Sequence, residues 1–207
     1  SQHYAFVVNA FVSLLKRADM TRYELFLRET RTYEIIEDVK NFRSEIGVLF
    51  LNSYNRDVLT KMFDDNRLTY TSLFKARPHI FVSKSNPLAK HKVVSLEDLE
   101  DFPYLSYDQG IHNSFYYSEE ILSQIPHKKS IVVSDRATLF NLLIGLDGYT
   151  IATGILNSNL NGDNIVSIPL DIDDEIDIVY LKHEKATLSK MGEKFLDNLV
   201  KEVTFDN

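Results

Sequence analysis

The chain has no cysteine, which removes disulfides, thiolate metal sites and cysteine nucleophiles together and fits a reducing compartment, the cytoplasm. It has no apolar stretch long enough to span a bilayer, and the opening Ser1-Gln2-His3 has no basic segment followed by an apolar core. Glycine is scarce, at 7 of 207 residues, and neither G-x-G-x-x-G nor G-K-[ST] occurs, so nucleotide chemistry has no support. A G-x-S-x-G elbow is missing too, which leaves an enzyme reading without a nucleophile and its base. Positive charge is in deficit: 23 Lys and Arg face 30 Asp and Glu, a formal charge of −7. Direct binding to nucleic acid needs clustered cations, so any DNA contact has to come from another segment. Solenoid repeats and low-complexity tracts do not occur.

Metal and cofactor sites are not expected either. His79, His91, His112, His127 and His183 are scattered without the i,i+4 spacing of a helical metal site. The acidic run Asp171, Asp173, Asp174, Glu175 and Asp177 lacks the glycine and the terminal glutamate of a calcium loop and reads as a solvated edge.

What the chain does have is 44% hydrophobic residues arranged in two alternations of helix and strand. Val8, Phe11, Val12 and Leu15 form the stripe of a first helix ending near Arg17. A strand is expected over 23–27, a helix over 31–41, a strand over 46–51 and a helix over 57–63. The unbroken apolar run 46–51 suits a strand covered on both faces in a parallel sheet. Strands at 68–75 and 79–83 flank Arg77-Pro78, and Ser95 with Asp98 three residues on forms the capping pattern of a short helix. The alternation then repeats: strand 103–106, helix 113–123, strand 129–133, helix 138–145, strand 149–153. Strands at 165–168 and 176–181 and an amphipathic helix over 189–203 finish the chain. Connectors at 73–82 and 176–183 join the two units and leave a cleft between them.

Ligands of open α/β sheets bind beyond the carboxyl ends of strands, where loops enter helix N-termini whose free N–H groups attract anions. That rule nominates Ser1, Gln2 and His3 before the first helix, Thr30, Arg31 and Thr32 before the second, Tyr107 and Gln109 in the loop 107–110, and Ser134 with Arg136 before the fourth. Plain roles compete at each position. Thr32 and Ser134 suit N-caps, Arg31 and Arg136 suit solvated first turns, and the aromatic run Phe115-Tyr116-Tyr117 suits the core side and flank of a helix.

Several segments in the same order resemble one family. S-N-P-L-A at 85–89, V-S-L-E-D-L at 94–99 and F-P-Y-L at 102–105 look like the crossover segment in the effector-binding domain of LysR-type transcriptional regulators. V-S-D-R-A-T at 133–138, G-L-D-G-Y-T-I-A-T-G at 145–154 and the stretch 29–50 extend the likeness over nearly the whole chain. The resemblance implies an α/β fold of two Rossmann-like subdomains joined by two crossover strands, the type 2 periplasmic-binding-protein fold. Residues 1–76 with 179–207 would form subdomain I and 77–178 subdomain II. The family's domain begins with a strand, whereas this chain starts essentially at the helix.

By positional matching the resemblance carries effector contacts onto Ser1, Thr32 and the Ser106-Tyr107 loop. Thr30 and Arg31 stand where the family commonly has glycine or serine, and an inward-turned Arg31 would favour an anionic or zwitterionic ligand. It also implies an antiparallel homodimer of this domain, tetramers of full-length chains, and DNA contact through an N-terminal winged helix-turn-helix domain that these 207 residues lack. The Gln2-His3-Tyr4 opening is similar to that of Gram-positive members associated with amino-acid or sulfur metabolism, so amino acids, sulfur metabolites and small carboxylates are the expected effectors. The alternative is a transporter's solute-binding protein with the same cleft. An enzyme on the same scaffold ranks below both.

Overall fold

The computed structural model describes residues 1–18, 21–156 and 162–204. Helices α1 (Ala5–Arg17), α2 (Thr32–Lys40) and α3 (Arg56–Asp65) fall in the first part of the chain, with α4 (Arg136–Leu146) and α5 (Lys190–Thr204) later. Strands β1 (Gly47–Leu51), β2 (Leu68–Ala76) and β8 (Ile176–His183) form a three-stranded sheet in the order β1-β8-β2. Strands β3 (His79–Ser83), β4 (Tyr104–Tyr107), β5 (Ser130–Val133), β6 (Tyr149–Ala152) and β7 (Ile165–Pro169) form a second sheet in the order β5-β4-β6-β3-β7. The chain crosses between the sheets twice, after β2 and after β7, so each sheet anchors one half of the molecule.

The sequence pattern explains why β1 can be continuously apolar. All five of its residues are buried, with Val48 and Phe50 entering one core cluster and Leu49 and Leu51 another. Its partner is antiparallel, however: Gly47 lies opposite Leu181 and Leu51 opposite Asp177. Coverage on both faces, rather than parallel pairing, accounts for the apolar run. The expectation of a parallel sheet there is corrected. Parallel pairing occurs instead between β4 and β5 and between β4 and β6.

One apolar cluster unites the halves. It draws Phe6 from α1, Val48, Phe50 and Ile178 from the first sheet, Ile80, Tyr149 and Ile151 from the second, and Leu199 from α5. A second cluster lies under α2 and α3 around Leu49, Leu59, Phe63 and Leu181, and a third under α4 around Leu105, Leu139 and Leu143. Ser95 and Asp98 cap each other as their spacing suggests, with Ser95 N–H on Asp98 Oδ2 at 2.8 Å, ahead of a single 3-10 turn, Glu97–Leu99.

Two elements differ from expectation. No strand forms at 23–27; Tyr23 and Phe26 there are 55% and 87% exposed. The chain is held just beyond this segment, where the Ser1 amino group donates to Arg28 O at 2.7 Å and Arg28 pairs with Asp38 at 2.7 Å, but among the described residues no strand pairs with 23–27, so its strand-forming residues have no ladder to join. The helix expected over 113–123 is reduced to a 3-10 turn, Phe115–Tyr117. Cross-half side-chain contacts hold that stretch, as described next, and they override its helical pattern.

Candidate functional site in the cleft

Between the halves lies a cavity of about 50 Å³, room for a few waters at roughly 10–15 Å³ each. His3, Tyr4, Phe6 and Phe50 line it from the first half. Phe81, Tyr107, Glu119, Glu120, Arg136, Phe140 and residues 150–153 line it from the second. A larger ligand requires the walls to move.

The wall of this cavity is a hydrogen-bond chain that crosses from one half to the other. Gln2, 1% exposed, is its first link: its backbone N–H meets Val48 O at 3.0 Å, its Oε1 accepts from Phe50 N–H at 3.1 Å and Tyr4 O–H at 2.5 Å, and its Nε2 donates to Thr32 Oγ1 at 2.6 Å. Thr32 opens α2, where the first N–H groups have no partner inside the helix. Its N–H donates to Gln109 Oε1, 3.2 Å away in the second half. Gln109 Nε2 donates to Glu119 Oε1 at 3.1 Å, and Glu119 Oε2 accepts the backbone N–H of His3 at 2.8 Å. The His3 ring places Nδ1 2.9 Å from the same carboxylate and stacks on Tyr107 with centroids 4.2 Å apart.

Charge pairs at the rim also join the halves. Arg136 at the start of α4 reaches Glu29 with a fork, Nε to Oε1 at 3.1 Å and Nη2 to Oε2 at 3.4 Å. Arg31 Nη2 meets Asp108 Oδ2 at 2.5 Å, and its Nη1 meets Glu34 at 3.2 Å. The hydrogen bond that Arg31 donates to Asp108 raises the guanidinium pKa above its ordinary value. Gly110 has a φ of +60°, and a Cβ there would lie 2.8 Å from Arg31 Nη1, so a side chain at this turn would collide with the pair.

Beyond the charges, the loop 108–118 clasps the first half through rings. His112 stacks on Tyr33 at 3.5 Å, Tyr116 stacks on Tyr54 at 4.8 Å, and Tyr117 O–H lies 3.6 Å from Met62 Sδ. These contacts give Tyr116 and Tyr117 partners in the first half rather than along a helix, while Phe115 is exposed.

Glu120 stands apart. It is 3% exposed, and its Oε1 accepts Tyr107 N–H at 3.0 Å. Its Oε2 is buried with no hydrogen-bond partner among the described residues. Burial, and then the neighbouring Glu119 charge, push its carboxyl well above the usual carboxylate range. Burial likewise raises the Tyr4 and Tyr107 hydroxyls.

Of the residues nominated from sequence, His3, Tyr107 and Arg136 line the cavity. Gln2, Thr32 and Gln109 form the bridge beside it. Thr30 bonds Glu34, and Arg31 lies on an outer groove with Gly110 and His112. Ser1 Oγ is buried without a hydrogen-bond partner among the described residues, and Ser106 lies on a separate depression with Tyr104 and His127. Ser134 is not the cap of α4; Asp135 is, accepting Thr138 N–H at 2.8 Å. Sequence reasoning missed Tyr4, Glu119, Glu120 and Phe140. The adjacent glutamates fall in a stretch that reads as a surface helix, and nothing in their spacing marks them as inward. No group of three or more His, Asp or Glu among the described residues could hold a metal ion.

Two α/β halves, two crossings and a cleft between them define a binding domain of the type 2 periplasmic-binding-protein fold. The model of the LysR substrate binding domain matches residues 14–204, and the chain belongs to that family. No curated protein matches the chain in sequence. Among solved structures it is similar to the effector binding domain of QuiR in complex with shikimate, at 17% identity and a TM-score of 0.60, covering 94% of this chain and 88% of that one. The BenM effector binding domain with its effector benzoate gives 18% identity and a TM-score of 0.61, covering 98% and 87%. HinK, a LysR family transcriptional regulator from Pseudomonas aeruginosa, gives 14% and 0.61, and 97% of this chain spans only 66% of that longer one.

Proposed function

We propose that this domain senses a small effector for a LysR-type transcriptional regulator. A ligand entering the cleft changes how the two halves, and through them paired copies of the domain, are arranged. The observation that carries the reading is the cavity itself, whose walls come from both halves and whose bridge, from Gln2 through Thr32 and Gln109 to Glu119, is made of polar groups able to exchange partners. A ligand that satisfies those groups differently in the parted and closed arrangements shifts their balance by its difference in affinity, and no further.

Residues 1–76 with 179–207 act as one subdomain and 77–178 as the other. The site includes His3, Tyr107, Thr32 and Gln109, with Gln2 in support. The domain works as a homodimer in the cytoplasm, carries no catalytic activity, and reaches DNA through a separate helix-turn-helix segment in tetrameric chains. No described helix is long and apolar enough to cross a membrane. The test is a thermal-shift and calorimetric screen against amino acids, sulfur metabolites, small acids and amines. A saturable ligand whose binding is lost in Gln109→Ala supports the reading. Binding that is indifferent to every cleft substitution places the effector elsewhere and overturns it.

A further inference from the structure

We propose that the cleft ligand carries a protonated amine, held by the Glu120 carboxylate, on an apolar body packed against Phe81 and Phe140. This rests on the reading of the cleft as an effector site and adds the sign of the ligand's charge. The charged and amide donors nearest the cavity are already engaged within the protein, which leaves an anion only neutral hydroxyls, those of Tyr107, Thr150 and Thr153. His3 N–H, His3 Nδ1 and Gln109 Nε2 converge on the Glu119 carboxylate, so the chain's own anion fills that cradle. Arg136 is forked onto Glu29. Arg31, the cation that the sequence pointed to, lies outside the cavity and is bound to Asp108 and Glu34.

What remains uncommitted is an acceptor. Glu120 lines the cavity, is 3% exposed, and has one oxygen with no partner among the described residues. A buried carboxylate oxygen without a donor is costly, and a charge-assisted hydrogen bond is the strongest way to satisfy it. Glu119, Tyr4, Tyr104 and Tyr107 interact with Glu120 and none of them is cationic, while the cationic Arg136 and the His3 ring on the same cavity wall are paired with Glu29 and Glu119. The raised pKa keeps Glu120 neutral beside the Glu119 charge; an ammonium is attracted by Glu119 and favours ionisation of Glu120, whereas a carboxylate is repelled by Glu119 and has only the neutral Glu120 carboxyl to meet here. When it binds, Glu120 gives up its proton and becomes the counter-ion, so one proton leaves the complex as one cation enters.

The experiment uses probes of matched shape and opposite charge: benzylamine against benzoate, and putrescine against succinate, titrated into the whole chain by calorimetry in buffers of different ionisation enthalpy. Saturable binding of the amines is expected near neutral pH, with up to one proton released and with affinity at least tenfold above that of the matched acids. In Glu120→Gln the proton release disappears and amine affinity falls at least tenfold. Since Gln matches the neutral carboxyl in size and shape, the variant should fold; its melting curve is recorded alongside. Should it fail to fold, proton release by the unmodified chain still decides the question. Acids that bind in the cleft while amines do not would overturn the amine and leave the sensing role intact. Amine binding without proton release, or undiminished in a folded Glu120→Gln variant, overturns the role of Glu120. Failure of both amines overturns this inference whatever the acids do, while the effector-site reading stands or falls on the wider screen and the Gln109→Ala comparison.

Discussion

The backbone N–H that opens helix α2 at Thr32 is capped by the side chain of Gln109, at 3.2 Å, from the opposite half of the molecule. A helix start normally finds its acceptor in its own N-cap side chain, yet Arg31, the N-cap here, makes no such bond. The helix terminus and the closure of the cleft are therefore one interaction. The position where a ligand anion could have docked is taken by a neutral amide.

Gln109→Ala should therefore loosen the closed arrangement. It removes the acceptor for a buried N–H and one of the donors to Glu119, and groups left unpaired in this way cost roughly 1–3 kcal/mol each. Chemical denaturation should show a loss of that order, and small-angle scattering should show a larger radius as the halves part. A variant with unchanged stability and radius would mean that Gln109 fills space without holding the halves together.

The aromatic clasp gives a second, separable test. Tyr33→Ala deletes the ring under His112 and the edge contact with Tyr117, and aromatic pairs contribute about 0.5–1.5 kcal/mol beyond their buried area. Amide hydrogen exchange should quicken across 108–118 while the β4–β5 ladder stays protected. Uniform quickening would indicate general destabilisation instead.

Much of the fold was legible because its signals are local. The stripe of α1, the continuously apolar β1 and the Ser95–Asp98 capping pair each follow from residues close in sequence. The strand expected at 23–27 failed because strand formation depends on a partner that local pattern does not supply. The helix expected over 113–123 failed for the converse reason: Tyr116 and Tyr117 have partners, Tyr54 and Met62, more than fifty residues away. The candidate site was half visible in the sequence. Polar turns before helices led to His3, Thr32, Tyr107 and Gln109. Glu119 and Glu120 are the carboxyl groups of the candidate site, and only the folded chain turns them inward.

At Gly154, just beyond the cavity-lining Thr153, φ is +82° and a Cβ would lie 2.6 Å from His79 Nδ1. Gly154→Ala should cost about 1–3 kcal/mol from the left-handed backbone alone, with the collision adding to it. Pairing it with His79→Ala separates the two contributions, because removing the ring relieves the collision and leaves the backbone strain. Equal losses in the single and the paired backgrounds would show that the ring simply moves aside.

Glu120 makes stability fall as pH rises. Its folded pKa is raised by burial and by Glu119, so above the unfolded value of about 4.3 the folded chain keeps a proton that the unfolded chain releases. The stabilising difference is complete below that value and is lost as pH climbs through the raised folded pKa, with a limiting slope of about 1.4 kcal/mol per pH unit. Glu120→Gln has no proton to lose and should not share this decline. Comparing the two chains by urea denaturation from pH 4 to pH 8 cancels the other carboxylates, including Asp98 and Asp135, whose lowered values act in the opposite direction. The variant should gain on the wild type steadily as pH increases. Parallel stability curves would mean that Glu120 is solvated and ionised in the folded chain, and that the cleft holds no unpaired carboxyl.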